Sequence, residues 1–226
     1  MKNHYIVTID GPAGSGKSTT ARGVAKALNV LHLDTGAMYR AVTLAAMEKG
    51  LPPTDAEKLD ALSKTLEIAF LRETDVSQRI LMNGRDISEA IRTPEVSRAV
   101  AAYCTVPQVR ARMVQQQQAL ALQHSVVAEG RDVGTVVFPE ARFKFFLTAS
   151  IEARAERRLA EFKSMGQTPT LQEVMHDISE RDRQDSTRSI SPLMQAPGAA
   201  VVDTTGLSIE EQISRIVQQV KSGLLI

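Results

Sequence analysis

Short, continuously apolar runs punctuate this chain: Ile6 to Ile9, Val30 to Leu33, Val126 to Ala128, Phe143 to Leu147 and Ala200 to Val202. Each is followed by, or feeds, a stretch with helical periodicity. Runs this short and this apolar predict strands buried on both faces. Their alternation with helices predicts an α/β architecture with a central parallel sheet and right-handed crossovers.

The stretch from Leu66 to Ile87 breaks this rhythm. Leu66-Glu67-Ile68-Ala69-Phe70-Leu71 and Arg79-Ile80-Leu81-Met82 are strand-like and two-periodic, and Asn83-Gly84 is a strong hairpin signal. A small antiparallel insert on the parallel core is the expectation. Ser88 to Gln123 reads as two helices, with Pro107 opening the second. The run Gln115 to Gln118 sits inside that pattern as a solvated helix face. Ile151 to Phe162 is a charged helix bearing Arg154, Arg157 and Arg158, and a plain solvated face accounts for these arginines at least as well as a site does. A loop from Ser164 to Pro169 follows, then a helix from Thr170 to Arg183. Asp185 to Gly198 is polar, then Pro-rich, with little periodicity.

Composition narrows the class. The chain has 226 residues, 43% hydrophobic and 23% charged, which is ordinary for a globular protein with one substantial core. The net charge of +1 gives no overall drive toward nucleic acid or an acidic membrane. No apolar run approaches membrane-spanning length, and the N-terminus lacks the apolar core of a signal peptide. The single cysteine, Cys104, allows no intrachain disulfide. A cytoplasmic protein with no nucleic-acid partner is expected, and the lack of an evident apolar interface stripe predicts a monomer.

The chemistry begins at the first strand. Val7-Thr8-Ile9-Asp10 runs into Gly11-Pro12-Ala13-Gly14-Ser15-Gly16-Lys17-Ser18-Thr19, which has the spacing of the phosphate-cradling P-loop. Its glycines let successive backbone N–H groups point inward at an anion. Lys17 adds a mobile charge for the terminal phosphates, and Ser18 offers a hydroxyl to Mg²⁺. The helix that follows aims the positive end of its dipole at the same anion. Strand, loop and helix stand in the required order, so the motif says nucleoside triphosphate.

Other segments bear on the acceptor. Leu33-Asp34-Thr35-Gly36-Ala37-Met38-Tyr39-Arg40 follows the second strand. Thr35 can hydrogen-bond, and Arg40 can fork onto a phosphate. Taken alone, a helix N-cap by Asp34 or Thr35 with a solvated Arg40 explains it better. In Ser125 to Thr135 a buried strand ends in Glu129, then Gly130-Arg131-Asp132. Ends of parallel strands are where α/β sheets place ligands. Glu129 is positioned like the acid that holds Mg²⁺ or its water shell, and Arg131 can clamp a transferring phosphoryl group. Asp132 can accept from a base amino group. The competing reading is a surface Arg131–Asp132 turn. In Glu180 to Arg188, Arg181, Asp185 and Arg188 fall at i, i+4 and i+7 on one helical face. Arginines there suit a lid that excludes water. Nothing stands out for nucleophilic catalysis: Cys104 lacks an obvious base, and none of His4, His32, His124 and His176 is paired at metal-ligand spacing.

Together these segments resemble the bacterial cytidylate kinases. The resemblance rests on Ile9 to Thr19, on Asp34 to Arg40, on Gly130-Arg131-Asp132-Val133-Gly134-Thr135-Val136-Val137-Phe138-Pro139, on Arg181-Asp182 to Arg188 and on Ser191-Pro192-Leu193. It covers essentially the whole chain. It implies a P-loop three-layer fold with the antiparallel insert and a short helical lid. Its parts would be a core of about 1–35, 124–150 and 199–226, a monophosphate-binding region of about 36–123 and a lid of about 151–198. It also implies phosphoryl transfer from ATP, with Mg²⁺, to CMP or dCMP, in pyrimidine nucleotide metabolism. Carried over by residue, Gly11, Pro12, Ala13, Gly14, Ser15, Gly16, Lys17, Ser18 and Thr19 would hold the ATP phosphates, with Arg157 on the same nucleotide and Ser18 and Glu129 toward the metal. Arg40, Arg131 and Arg188 would grip the acceptor phosphate, with Lys17, Arg131 and Arg188 catalytic. Arg181 and Asp185 would address the ribose, Arg110 and Asp132 the cytosine edge, and Thr35 would stand in for the family's usual serine. Ala101 departs from the pattern, since the family usually has a serine there that helps bind the base.

Two other readings are left by the residues. One is a P-loop kinase with relaxed specificity that also accepts UMP. The other is a non-catalytic ATP-binding switch, which the arginines gathered toward one cleft disfavour.

Overall fold

The computed structural model describes residues 4–71, 78–164 and 166–225, and the chain divides into two compact units, Met1–His32 with Gln123–Ile226, and Leu33–Leu122.

The first unit is built on the parallel sheet expected from the apolar runs. β1 (Ile6–Asp10), β2 (Leu31–Asp34), β6 (Val126–Gly130), β7 (Phe143–Thr148) and β8 (Ala200–Asp203) are ordered β2-β6-β1-β7-β8. β1 therefore lies inside the sheet, parallel to β6 on one side and β7 on the other. The register pairs Ile9 with Glu129 and Asp10 with Gly130, so the two chemistry-bearing strands end side by side. Interior parallel strands are covered on both faces, which explains why Val7, Ile9, Val126, Val127 and Leu147 are fully buried.

The helix α1 (Lys17–Leu28) packs on α8 (Ile209–Leu224) through core residues Ala21, Val24, Ile216 and Val220. Gly23 permits the approach: a Cβ there would lie 2.1 Å from Cδ1 of Ile213. α8 opens on a capping box of Ser208 and Glu211.

The lid stretch contributes α6 (Ile151–Ser164) and α7 (Leu171–Thr187), which share a small cluster of their own around Ala155, Val174 and Ile178. α7 begins on a Thr170–Glu173 capping box and runs to Thr187, beyond the Arg183 that periodicity gave. Its last turn is held by polar contacts, which carry no hydrophobic period. Arg188 caps it with extended backbone (φ −62°, ψ 141°), so Arg181, Asp185 and Arg188 do not form one continuous helical face.

The second unit holds α2 (Thr35–Glu48), α3 (Ala56–Lys64), a small sheet, α4 (Pro94–Tyr103) and α5 (Pro107–Gln123). The small sheet is antiparallel, β3 (Ile68–Leu71), β4 (Arg79–Met82) and β5 (Arg85–Asp86) in that order. Asn83 (φ 51°) and Gly84 (φ 78°) make the hairpin turn with positive φ at both central positions, as the dipeptide predicts. Residues 72–77 of the expected insert lie outside the described residues.

Pro94 and Pro107 open α4 and α5 at the position where a missing N–H does no harm. The glutamine run on α5 is only partly a solvated face. Gln115 and Gln118 are exposed, but Gln117 is fully buried and Gln116 donates to the Leu66 carbonyl at 2.8 Å. A homopolymeric run has no period by which to tell its inner from its outer positions. No helix among the described residues is long and apolar enough to cross a membrane.

Candidate active site

In the first unit, β1 delivers the chain into a loop that only glycine can start. Gly11 has φ +151°, and a Cβ on it would lie 2.1 Å from the Leu147 carbonyl oxygen of β7. Gly14 (φ +73°) and Gly16 (φ +86°) continue the left-handed curl. Gly16 is the N-cap of α1 and offers no side-chain cap, so the helix start is built to receive an anion. Ser15 is fully buried and donates to the Pro12 carbonyl at 3.0 Å. Lys17 folds back on the same carbonyl, with Nζ at 2.6 Å. Burial lowers its amine pKa well below the usual lysine range, and the nearby Arg131 charge pushes the same way. Thr19 is exposed one residue into the helix beyond Ser18. Thr20, fully buried, donates to Gln212 of α8 at 2.7 Å and so fixes the first turn of α1.

Glu129 stands next to last in β6 at 3% exposure. One carboxylate oxygen accepts from the Ser18 hydroxyl at 2.7 Å, and the other meets Nε2 of His32 at 3.0 Å. Hydroxyl and carboxylate oxygens are the donors Mg²⁺ takes, beside phosphate oxygens and water, so the pair fits that ion. Beyond Glu129 the chain turns, and Asp10 secures the turn by accepting from the backbone N–H of Val133 (2.9 Å) and Gly134 (2.7 Å). The turn closes as a short π-helix, Val133–Val137.

Asp132 is 5% exposed, so this is no surface turn. Arg131 donates to Asp185 at 2.6 Å. Arg188 stands 3.7 Å from both Asp132 and Asp185, and its Nε donates to the Ser191 carbonyl. Burial pushes the Asp185 carboxyl up, but the charges of Arg131, Arg181 and Arg188 outweigh it and hold the group below the usual range. Arg181 is exposed on α7, and its charge also depresses Lys17. Lys17, Glu129, Arg131, Asp132, Arg181, Asp185 and Arg188 therefore form one neighbourhood at the C-terminal ends of β1 and β6.

Arg157 is engaged with Thr204, donating to its hydroxyl at 3.0 Å and to its carbonyl. Its guanidinium lies 3.9 Å from where a Cβ on Gly16 would be. Arg154 is buried at 8% exposure and Arg158 pairs with Glu161, so only Arg158 keeps the solvated character the sequence allowed all three.

In the second unit, Asp34 caps α2 by accepting the Ala37 N–H at 2.8 Å, and it also holds Arg40 at 3.2 Å. The capping reading of this segment is thus correct, while Arg40 is tethered rather than freely solvated. Thr35 is 4% exposed in the first turn. Arg110, 4% exposed on α5, donates to the Cys104 carbonyl at 3.1 Å and lies 5.2 Å over the Tyr39 ring. Ala101 and Ser97 are both exposed on α4, one turn apart.

Sequence reasoning gave no role to Asp10, His32 or Asp182, and offered Arg154 only as a lid arginine or a solvated one, not as the support of Ala13. Asp10 carried a signal, an acid at the end of an apolar strand where only a paired carboxylate is tolerated. The others meet their partners only through the tertiary fold.

A glycine-rich anion loop at the switch between sheet and helix, beside a cluster of arginines and an oxygen pair suited to Mg²⁺, defines a nucleotide-binding transferase of the P-loop kinase class. An uncharacterised protein of Eubacterium ventriosum shares the fold at a TM-score of 0.55, with 10% identity, 97% of this chain and 99% of its own covered. The model of the cytidylate kinase family matches residues 7–222. A cytidylate kinase of Carboxydothermus hydrogenoformans is 47% identical over 212 residues, 94% of this chain and 95% of that protein. A bifunctional pantoate ligase/cytidylate kinase of Synechococcus sp. strain RCC307 is 46% identical over 218 residues, which are 96% of this chain but 43% of that longer protein. The chain belongs to the cytidylate kinase family, ATP-dependent transferases with nucleotide substrates.

Proposed function

We propose that the chain transfers the γ-phosphoryl group of ATP to CMP or dCMP, giving ADP and CDP or dCDP, with Mg²⁺ as the metal. The observation that carries this reading is the gathering of arginines beside the loop, at the C-terminal ends of β1 and β6. Arg131, Arg181 and Arg188 gather around Asp185, and burial together with the Arg131 and Arg181 charges lowers the Lys17 amine pKa against the pull of Glu129 and Asp10. The loop N–H groups and Lys17 serve the donor triphosphate, and the forked guanidinium donors of Arg131 and Arg188 suit a second phosphate.

In this reading the loop N–H groups from Gly11 to Thr19 and Lys17 hold the donor phosphates, with Arg157 beside them. Arg131, Arg188 and Arg40 hold the acceptor phosphate. An acceptor phosphate oxygen bonds to the γ-phosphorus as the bond to the β,γ-bridging oxygen breaks, and ADP carries away the electron pair. The acceptor oxygen is already ionised near neutral pH, so no base is needed, and positioning with charge stabilisation supplies the rate. Mg²⁺, when bound, neutralises charge on the β- and γ-oxygens, and Ser18 and Glu129 are the residues that would hold it.

Arg181 and Asp185 address the ribose, Thr35 supports the acceptor region, and Arg110 and Asp132 read the base. Cytosine offers Asp132 an amino group. Uracil offers a carbonyl, which cannot donate to that buried carboxylate, at about 1–3 kcal/mol. The functional partition is a core of about 1–35, 124–150 and 199–226, an acceptor region of about 36–123 and a lid of about 151–198. A cytoplasmic monomer without a nucleic-acid partner completes the reading.

The test is ADP release from Mg·ATP with CMP, dCMP, UMP and AMP in turn. Turnover with CMP and dCMP and little with UMP supports the assignment. Equal turnover with UMP refutes the base-reading roles of Arg110 and Asp132. Tight ATP binding with no acceptor-dependent turnover refutes the kinase reading.

A further inference from the structure

The anion loop is gripped from outside as well as from below. Ala13 donates its N–H to one carboxylate oxygen of Asp182 at 3.1 Å, and its carbonyl accepts from Nη1 of Arg154 at 3.0 Å. The same Nη1 donates to the other oxygen of Asp182, while Nε of Arg154 is satisfied by the Ala149 carbonyl at 3.1 Å. Both polar groups of one loop residue are therefore closed into a ring with a charged pair. Arg154 is 8% exposed, and its Cβ would be 3.1 Å from one added to Gly14, so α6 lies directly against the loop.

Asp182 sits on α7 one residue after Arg181 and one turn before Asp185, which holds Arg131 at 2.6 Å. The last turns of α7 thus carry a contact to the triphosphate loop and a contact to the arginine cluster on one rigid segment. A helix transmits displacement along its length because its backbone hydrogen bonds do not stretch independently.

We propose that Asp182 is a positioning residue that, with Arg154, couples donor binding to acceptor binding. Closing the loop on a polyphosphate moves Ala13. α7 follows, because both polar groups of Ala13 are held, and Asp185 and Arg131 are brought to their acceptor-binding arrangement with it. The inference rests on the kinase reading above, and it adds that the two affinities are linked through this contact. By reciprocity the acceptor raises donor affinity by the same factor.

The experiment is calorimetric titration of the full chain with CMP, alone and in the presence of Mg²⁺ and β,γ-imido-ATP. The unaltered chain should bind CMP at least about fivefold tighter with the analogue present. In Asp182→Ala both the Ala13 N–H and the Arg154 guanidinium lose their partner on α7. The enhancement should fall to within about twofold of none, with CMP affinity alone changed less than about twofold. Arg154→Lys, which keeps the charge but loses the fork, should do the same, and the double variant should do no more. Thermal unfolding identifies any variant that has lost its fold, and the other then decides.

An enhancement that persists in either folded variant overturns the proposal. So does loss of CMP affinity measured alone, which would make Asp182 an acceptor contact. An unaltered chain that binds both ligands without enhancement overturns this coupling only, whereas one that binds neither overturns the kinase reading with it.

Discussion

Replacing Asp10 by Asn should change the pH dependence of stability more than its level at any one pH. The native side chain is 2% exposed and accepts the backbone N–H groups of Val133 and Gly134. Burial pushes its carboxyl pKa from 3.8 up to about 6, against the lowering pull of the Gly134 and Val133 hydrogen bonds, and the Asp132 charge adds to the rise. Between those values the folded chain keeps a proton that the unfolded chain has released. The stability this group contributes is therefore fully present below pH 3.8 and lost as the pH rises through about 6. The loss amounts to about 3 kcal/mol well above that range, of which about 1 kcal/mol is already gone near pH ~4.5.

The Asn amide does not titrate, so the variant escapes this loss. Its NH₂ cannot accept, however, and one backbone N–H is left without a proper partner at about 1–3 kcal/mol. Near pH ~8 the two effects largely cancel, and near pH ~4.5 the variant is the less stable chain. Urea unfolding of both chains at the two pH values measures the difference. The variant should gain about 2 kcal/mol relative to the native chain on going from the acid to the alkaline condition. Parallel stability–pH curves would show that Asp10 does not titrate differently in the fold, and would refute the reasoning.

Three further outcomes follow from the same geometry. Lys17→Ala should lower turnover by about a hundredfold or more, yet change stability by no more than about 1 kcal/mol, since it removes an amine that burial already disfavours. A loss of stability large enough to explain the lost turnover would contradict it. Gly134→Ala should lower stability by about 1–3 kcal/mol, because its Cβ would lie 2.9 Å from the Thr8 hydroxyl and 3.1 Å from the Ala196 Cβ. An unshifted thermal midpoint would count against that packing. Ala101→Ser, which adds a hydroxyl to the exposed face of α4, should raise the kcat/KM preference for CMP over UMP by about tenfold. An unchanged ratio would remove Ala101 from the account of base selection.

Much of this protein is legible along the chain, because much of it is locally determined. Strands buried on both faces must be continuously apolar, so the core strands are visible without knowing their order. The anion loop is visible because positive φ and close backbone approach demand glycine at Gly11, Gly14 and Gly16. Asn83-Gly84 announces its hairpin for the same reason. The strand order is not local. That β1 lies between β6 and β7, so that Asp10 ends beside Gly130 and can secure the turn carrying Arg131 and Asp132, follows only from pairing across more than a hundred residues.

The charged residues show the same division. Arg154, Arg157 and Arg158 stand close together on one helix and look alike in sequence. Packing alone makes the first a buried support of Ala13, ties the second to Thr204 and leaves the third to Glu161. A guanidinium is tolerated in the interior only where acceptors surround it, and those acceptors come from distant segments. The sequence by itself determined the elements, the anion loop and the chemical kind of the site, since these depend on residue type and local period. The tertiary structure alone decided which charges meet, since ion pairs and buried carboxylates depend on approach in space.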